Sequence, residues 1–471
     1  MIAPFDIAVL GAGPAGMAAA TLAARAGASV VLLDENRAPG GQVYRAPAPG
    51  LALPGGADRR AGDALRAALG GSGATVRQGA RVWSLGGGPL VPTGEPPGPF
   101  RIDLCDDTGV ETLQARALIL CTGTHERVVP FAGWTLPGVI GLAAATILLK
   151  AEDVLPGRRV VVAGTGPLLA AVAAGILRRG GRVAAVVDAA PRRDWLAALP
   201  ALARRPDLLA RGAGWLAAIL AAGVPLLSGW RIAEAVGQDA VMAVDLVPLA
   251  GGAARRIACD AVCVGHGLVP ATEAARLFGA AHAFVPARGG WMPQLDGQQR
   301  TSVDRLYVAG DAGGIAGAAA APHAGETAAG AALQDLGLAT PIVPRPAPAG
   351  VGRVGAAMAA LMMPPPALFV AIPPDCVVCR CEEITRAEIA AAAEAGARDL
   401  NQLKQFTRCG MGPCQGRMCG EAAAELLAAQ VGTRAAVGCF TPRLPLRPVP
   451  MQALLGDFRY EDIPVPPPAP P

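Results

Sequence analysis

Aromatic residues are scarce: Phe, Tyr and Trp make up 4% of 471 residues. Ring packing therefore cannot dominate the core, and abundant Ala and Gly point to small-residue packing in an α/β protein. Net charge is also small. Lys and Arg number 41 against 37 Asp and Glu, leaving +4, too little to indicate a nucleic-acid or membrane-surface protein. Mean hydropathy is +0.39, yet no apolar run reaches the roughly 20 residues that a spanning helix needs. The run 213–227 comes nearest and holds Pro225 near its end, so no integral membrane segment is expected. A charged leader has no room ahead of the apolar run that begins at Phe5. The expected compartment is the cytoplasm, where thiols stay reduced. The four histidines, His125, His266, His282 and His323, show no metal or nucleophile spacing. No close cysteine pair follows the first Gly-rich turn, which argues against a disulfide reductase of the thioredoxin or glutathione type. Cys105, Cys121, Cys259 and Cys263 lie in apolar strand-like runs and read as core residues.

Two strand–turn–helix–strand patterns stand out. The first runs from FDIAVL at Phe5 through GAGPAGMAAATLAARAG to SVVLLDEN, and the second begins at Arg159. A late run, RLYVAGDAGG at 305–314, reads as a strand entering a Gly-rich turn. That order implies two Rossmann-like dinucleotide-binding domains, the first split by the second. The expected boundaries are 1–150 with 300–340 for the first, 151–299 for the second, a Pro-rich linker at 341–375 with one short helix at 354–363, a small helical cysteine module at 376–431, and a Pro-rich, largely irregular tail at 432–471. Helical segments are expected over 195–222, and Thr385 with Glu388 reads as a capping box.

Gly11-Ala12-Gly13-Pro14-Ala15-Gly16 is a G-x-G-x-x-G turn between a strand and a helix. The first Gly permits the turn, the second lets a pyrophosphate approach the backbone, and the third lets helix and strand pack closely. The helix N-terminus faces the phosphates. Asp34 ends the second strand where an acid binds the ribose, with Glu35 as the fallback. The second unit, Gly164-Thr165-Gly166-Pro167-Leu168-Leu169, keeps two glycines but has Leu169 in the third place, and Asp188 closes its second strand. Two readings stay open for it: a site for NAD(P), ATP or another adenine nucleotide, and a vestigial structural domain.

Seven of eleven cysteines follow residue 375, and reduced thiols so gathered point to a metal or cluster. Cys379 and Cys381 form a C-x-C pair, 32 residues separate Cys381 from Cys414, and Cys419 follows. Two thiolate pairs make an all-sulfur, four-ligand site suited to zinc or an iron–sulfur cluster. Cys379, Cys381, Cys414 and Cys419 are the candidate ligands. Cys409 in place of Cys419 is the second choice; otherwise Cys409 reads as a small buried or partly exposed thiol. Cys376 and Cys439 receive no role.

Pro39-Gly40-Gly41-Gln42-Val43-Tyr44-Arg45, Cys121-Thr122-Gly123 and Gly310-Asp311 resemble the later FAD motifs of two-dinucleotide-domain flavoproteins. The cysteine pattern resembles the [2Fe–2S] module of bacterioferritin-associated ferredoxin. With GAGPAGMAAA, CTGTHERVVPFAGWTLPGV, VVVAGTGPLL, DLNQLKQFTRCGMGPCQGRMCG and RLPLRPVP, nearly the whole chain resembles the FAD-containing large subunits of multi-subunit amine and amino-acid dehydrogenases. Octopine/nopaline oxidase, D-hydroxyproline dehydrogenase and hydrogen cyanide synthase have such subunits. Cys121 departs from the Ala common at its position. The resemblance implies FAD held by Gly11, Gly13, Pro14, Ala15, Gly16, Asp34 or Glu35, Gly41, Gln42, Arg45, Thr122, Gly123, Gly310 and Asp311. It implies a [2Fe–2S] cluster, and in some members an FMN at a subunit interface. The implied partners are a D-amino-acid-oxidase-like catalytic subunit with, in some assemblies, a small ferredoxin-like one, this chain transferring electrons. A stand-alone NAD(P)H-dependent FAD/iron–sulfur reductase is the alternative.

Overall fold

The apolar run Phe5–Leu10 becomes an inner strand of a seven-stranded sheet. It pairs in parallel with Val30–Asp34 on one side and with the end of Gly109–Leu120 on the other. Strands buried on both faces can be apolar throughout, and Ile7, Ala8 and Val9 are wholly buried. Thr75–Gln78 extends the sheet beyond Val30–Asp34. Phe100–Asp106 and Arg81–Gly87 continue it antiparallel beyond the first half of Gly109–Leu120. The late strand Leu306–Val308 pairs with Leu118–Leu120, so the chain leaves this sheet after Leu120 and returns to it nearly two hundred residues later. The computed structural model describes residues 3–51, 56–88, 98–338, 345 and 350–455.

The intervening chain builds a second parallel sheet, in the order Leu226–Ser228, Arg182–Asp188, Arg159–Gly164, Ala261–Gly265 and Val139–Gly141. A three-stranded antiparallel sheet, Trp230–Gly237, Val241–Pro248 and Arg255–Ala258, packs beside it. Two short antiparallel strands, Thr124–Glu126 and Leu268–Pro270, form the double crossing between the two folds.

The Ala-rich composition has a direct use. The helices Pro14–Arg25 and Ala321–Asp335 pack against each other, and most of the residues they bury are Ala and Gly. A Cβ on Gly325 would overlap the carbonyl oxygen of Ala15, so the helices meet backbone to backbone beside the first Gly-rich turn.

The expected helical stretch 195–222 is two helices, Arg192–Leu202 and Pro206–Ala221, the second opening on a proline that suits a first-turn position. The run 213–227 splits between that second helix and the Leu226–Ser228 strand, and no described helix is long and apolar enough to cross a membrane. The linker helix spans Val351–Leu361, beginning three residues and ending two residues earlier than expected, after Gly350 in the left-handed region. A second short helix, Ala367–Val370, follows it. Most of 341–350 and all of 456–471 lie outside the described residues.

In the cysteine module the Thr385–Glu388 capping box starts the helix Arg386–Glu394, and Asp399 caps Leu400–Thr407. Ile389, Leu403 and Leu427 of this module share one continuous core with Val161, Val244 and Leu246 of the second fold. The module is therefore welded on by a common apolar interior.

Candidate cofactor sites

The first Gly-rich turn is fixed by its neighbours. Gly11 has φ +99, and a Cβ there would overlap the Cys121 carbonyl oxygen. On Gly16 a Cβ would overlap the Gly11 carbonyl oxygen. On Gly13, by contrast, it would meet nothing within 4 Å. The first and third glycines thus serve the protein's own packing, while the second faces open space into which a pyrophosphate can come.

The other sequence-predicted motifs converge on this turn. A Cβ on Gly41 would stand 2.9 Å from the Gly13 Cα, so the 39–45 loop lies across the turn. A Cβ on Gly310 would stand 3.0 Å from the Ala15 Cβ. Asp34 is buried; its Oδ2 accepts from the Ala12 N–H at 2.5 Å and its Oδ1 from the Asn36 amide and side chain. Arg45 donates from Nη1 to the Asn36 Oδ1 at 3.2 Å, while its Nε is buried with no hydrogen-bond partner. Thr122 donates to the Ala271 carbonyl, and Gly123 accepts from the Ala271 N–H. Asp311 accepts from the Ala316 and Gly317 N–H groups and so holds its own turn. Gln42 is exposed. Glu35 points away to an ion pair with Arg447 at 3.1 Å, leaving Asp34 as the acid at the turn. An open second glycine, a buried acid at the strand end and an orphaned guanidinium nitrogen fit a dinucleotide anion. Burial alone pushes the Cys121 thiol up to about 12, so it sits there neutral, as a core residue does.

Around the second turn, Asp188 accepts from the Ala190 N–H and from the Trp195 Nε1 at 2.9 Å. Burial raises its pKa to about 6.

The cysteine module gathers five thiols. The Sγ atoms of Cys379, Cys409 and Cys419 lie within 4.8 Å of one another, all three residues buried. Cys409 and Cys419 are 3.9 Å apart. Cys381 and Cys414, both half-buried, are hydrogen-bonded to each other beside the trio. Hydrogen bonds from Cys409 and then Cys419 hold the Cys379 thiol down at about 2, and the same bonds push the other two up. The Gly410 and Glu382 amides also donate to the Cys379 sulfur. Sulfur-rich donors with amide hydrogen bonds fit an iron–sulfur cluster, whose potential such bonds tune. Three non-glycine residues here, Glu383, Arg408 and Gln415, have φ between 49 and 66, and backbone strain of this kind gathers at functional sites. Cys376 lies apart from the trio, its Sγ facing the Val377 carbonyl. Cys439 accepts from Arg276.

Sequence reasoning missed the contacts that seat this module. Arg127, beside the crossing strands, is wholly buried and reaches Glu421 at 3.4 Å, the Gly289 carbonyl and the Met363 sulfur. Glu421 also pairs with Arg434 at 2.5 Å, and Glu273 with Arg417 at 3.1 Å. No local pattern marks Arg127 and Glu421 as partners, because 294 positions separate them in the chain. His125 lines the cleft beside Glu421, and burial pulls its pKa down. His323 stands against the Arg345 carbonyl. The tail, expected to be Pro-rich and largely irregular, lies along its own chain where it is described. Phe440 covers Gly410 and Gly416, Gln415 donates to the Pro445 carbonyl, and Leu446 is buried with its N–H on the Trp83 carbonyl.

Comparison with known proteins agrees with this geometry. Residues 5–328 match the pyridine nucleotide-disulphide oxidoreductase family, and residues 377–429 match the BFD-like [2Fe–2S] binding domain. The chain is 35% identical to the A-type subunit of opine oxidase from Agrobacterium tumefaciens, over 96% of this chain and 91% of that one. It is 34% identical to the HcnB component of hydrogen cyanide synthase from Pseudomonas protegens, over 94% and 97%. In fold it resembles an L-proline dehydrogenase from P. horikoshii, with TM-score 0.65 at 19% identity over 96% of this chain and 79% of that one. With a turn built for FAD, a cysteine module built for a [2Fe–2S] cluster and relatives along almost its full length, the chain belongs to the family of flavin-dependent oxidoreductases that includes HcnB and the A-type subunit of opine oxidase.

Proposed function

We propose that this chain is the FAD- and [2Fe–2S]-containing electron-transfer subunit of a hetero-oligomeric dehydrogenase or oxidase acting on amines or amino acids. The carrying observation is that the cysteine module shares one core with the second fold, while buried Arg127, next to the crossing strand Thr124–Glu126 that leaves the FAD-binding half, pairs with Glu421 of the module. FAD supplies two-electron chemistry and the cluster one-electron transfer, and a fixed, water-poor path between centres is what such transfer needs.

The remaining roles belong to the chain's own side chains. Gly13 admits the pyrophosphate, Asp34 receives the ribose, and Arg45 offers its free Nε to anionic oxygen. Cys379, Cys381, Cys414 and Cys419 are the proposed cluster ligands, two from each segment. Cys409, the most deeply buried of the five, is the supporting thiol that donates to Cys379. The substrate, of opine, hydroxyproline or glycine-like type, is oxidised on a D-amino-acid-oxidase-like partner subunit. An interface FMN and a small ferredoxin-like subunit complete the assembly in the fuller form of this reading. The unpaired state of all eleven cysteines suits a reducing compartment, the cytoplasm.

An anaerobic absorbance titration tests the reading. NADH or NADPH added to the purified chain should leave its flavin band unchanged, and a co-expressed partner with its amine should bleach it. Bleaching by NADH or NADPH alone would establish the stand-alone reductase instead.

A further inference from the structure

The second Gly-rich turn has a different neighbour from the first. Where Gly13 faces open space, the corresponding stretch, Thr165-Gly166, is covered by the linker. Thr165 is 1% exposed, and its Oγ1 donates to the Met362 carbonyl oxygen at 2.9 Å. A Cβ on Gly166 would stand 2.6 Å from the Met362 Cγ and 3.3 Å from the Leu361 carbonyl oxygen. Across the cleft, a Cβ on Gly267 would stand 2.8 Å from the Met362 Cβ. Backbone and side chain of Met362 are thus wedged between the turn after Arg159–Gly164 and the loop after Ala261–Gly265. In a dinucleotide-binding fold the pyrophosphate crosses at that point, at the carboxyl ends of the two central strands.

Two other positions of that site also engage the protein's own groups. The strand-end acid Asp188 accepts from the Trp195 indole N–H as well as from the Ala190 N–H. Leu169 is 2% exposed and fills the third-glycine position with core packing. Beyond the turn, the residual cleft is lined mostly by apolar side chains, Phe131, Val187, Trp230, Ile232 and Leu368 among them, with Arg231, which donates to the Ile232 carbonyl, and His266 as its polar members. The linker is held at both ends of the wedge. Leu361 is buried with Val354, Ala198 and Leu202, and Leu368 with Phe369 and Ile372 enters the core shared by the second fold and the cysteine module. The Met363 sulfur lies 3.4 Å from Arg127.

We infer that the linker segment Leu361–Met363 is the resident occupant of the second dinucleotide-binding fold, sealing it against NAD(P) and adenine nucleotides. The fold's second half then acts as a platform that clamps the linker and presents the cysteine module to the FAD-binding half. A nucleotide could enter only by extracting Met362 together with the core anchors on either side of it.

Hydroxyl-radical footprinting of the flavin-loaded full chain, read by mass spectrometry at each methionine, tests this directly. NAD+, NADP+ and ATP are the probes. Met362 and Met242 are 6% and 63% exposed, so Met362 should be oxidised about ten times more slowly, and the ratio should not move with nucleotide at millimolar concentration. Equal rates at the two methionines without nucleotide, or a rise at Met362 on adding any of the three, would overturn the inference. The readout requires neither a partner subunit nor flavin reduction, so its failure and a failure of the electron-transfer reading are separate results.

Discussion

Alanine at Gly13 and alanine at Gly16 should separate binding from folding within a single turn. Gly13 has φ −68 and ψ −178, a conformation that any residue adopts. Apart from the adjoining residues, no described atom of the protein stands within 4 Å of the added methyl. Flavin-free Gly13→Ala should therefore be as stable as the parent, or firmer by about 0.4–1 kcal/mol through the smaller entropy of its unfolded chain. Its methyl, however, occupies the approach to the backbone. Loss of one charge-assisted hydrogen bond costs about 1.5–3 kcal/mol, or roughly ten- to a hundredfold in the Kd for FAD. At Gly16 the methyl overlaps the Gly11 carbonyl oxygen and stands 3.4 Å from the Cys121 Cβ. The turn itself must shift, and overpacking of that kind costs about 1–3 kcal/mol before any flavin is bound. The assay is paired: flavin-to-protein ratio after reconstitution, and urea unfolding of the flavin-free chains. Full FAD retention by Gly13→Ala, or a loss of apo-stability in it equal to that of Gly16→Ala, would refute the assignment of Gly13 to the ligand.

Other expectations concern the cysteines and the buried charges. Cys381→Ser and Cys414→Ser should each lose iron and its visible absorption while keeping FAD, and Cys409→Ala should keep both; the reverse pattern in iron analysis would move Cys409 into the ligand set. Glu126, which accepts from the Ala143 N–H at 3.0 Å, is raised by burial to about 7 from 4.5. Between those values the folded chain keeps a proton that the unfolded chain has released, so this group's contribution falls as pH rises and levels off above 7. Relative to the parent, Glu126→Gln should gain stability through that window, by about 3 kcal/mol at most, and a pH-independent difference in urea midpoints would count against this. Glu421→Ala leaves the buried Arg127 and Arg434 guanidiniums without their shared carboxylate. Unfolding should become easier by about 3–5 kcal/mol, and a change below about 1 kcal/mol in urea unfolding would show that the network does not seat the module.

Much of the site was legible because its signals are local. Gly11, Gly13, Gly16 and Asp34 sit at spacings set by one strand, one turn and one helix, and strand periodicity carries Asp34 back to the Ala12 N–H. Thr385 and Glu388 cap a helix that begins at the next residue. The linker was harder. Pro-rich composition suggests a spacer, yet Leu361, Met362, Leu368 and Phe369 are buried, and nothing in a short apolar stretch says which surface it will cover. Cys409 shows the same limit: spacing separates it from the pairs, while folding brings its sulfur to 3.9 Å from Cys419.

Residue order alone determined the two strand–turn–helix units, the late return to the first sheet, and a thiol-rich module at the end of the chain. These follow from hydrophobic period, turn chemistry and cysteine spacing, which act over a few to a few dozen residues. Only the tertiary structure decided which Gly-rich turn stays open and which is filled. It also decided that Arg127, Glu421 and Arg434 meet, and that the described part of the tail folds back on its own chain. Those outcomes depend on which surfaces meet across hundreds of residues, where burial and charge pairing set the energy and local sequence carries no record of the partner.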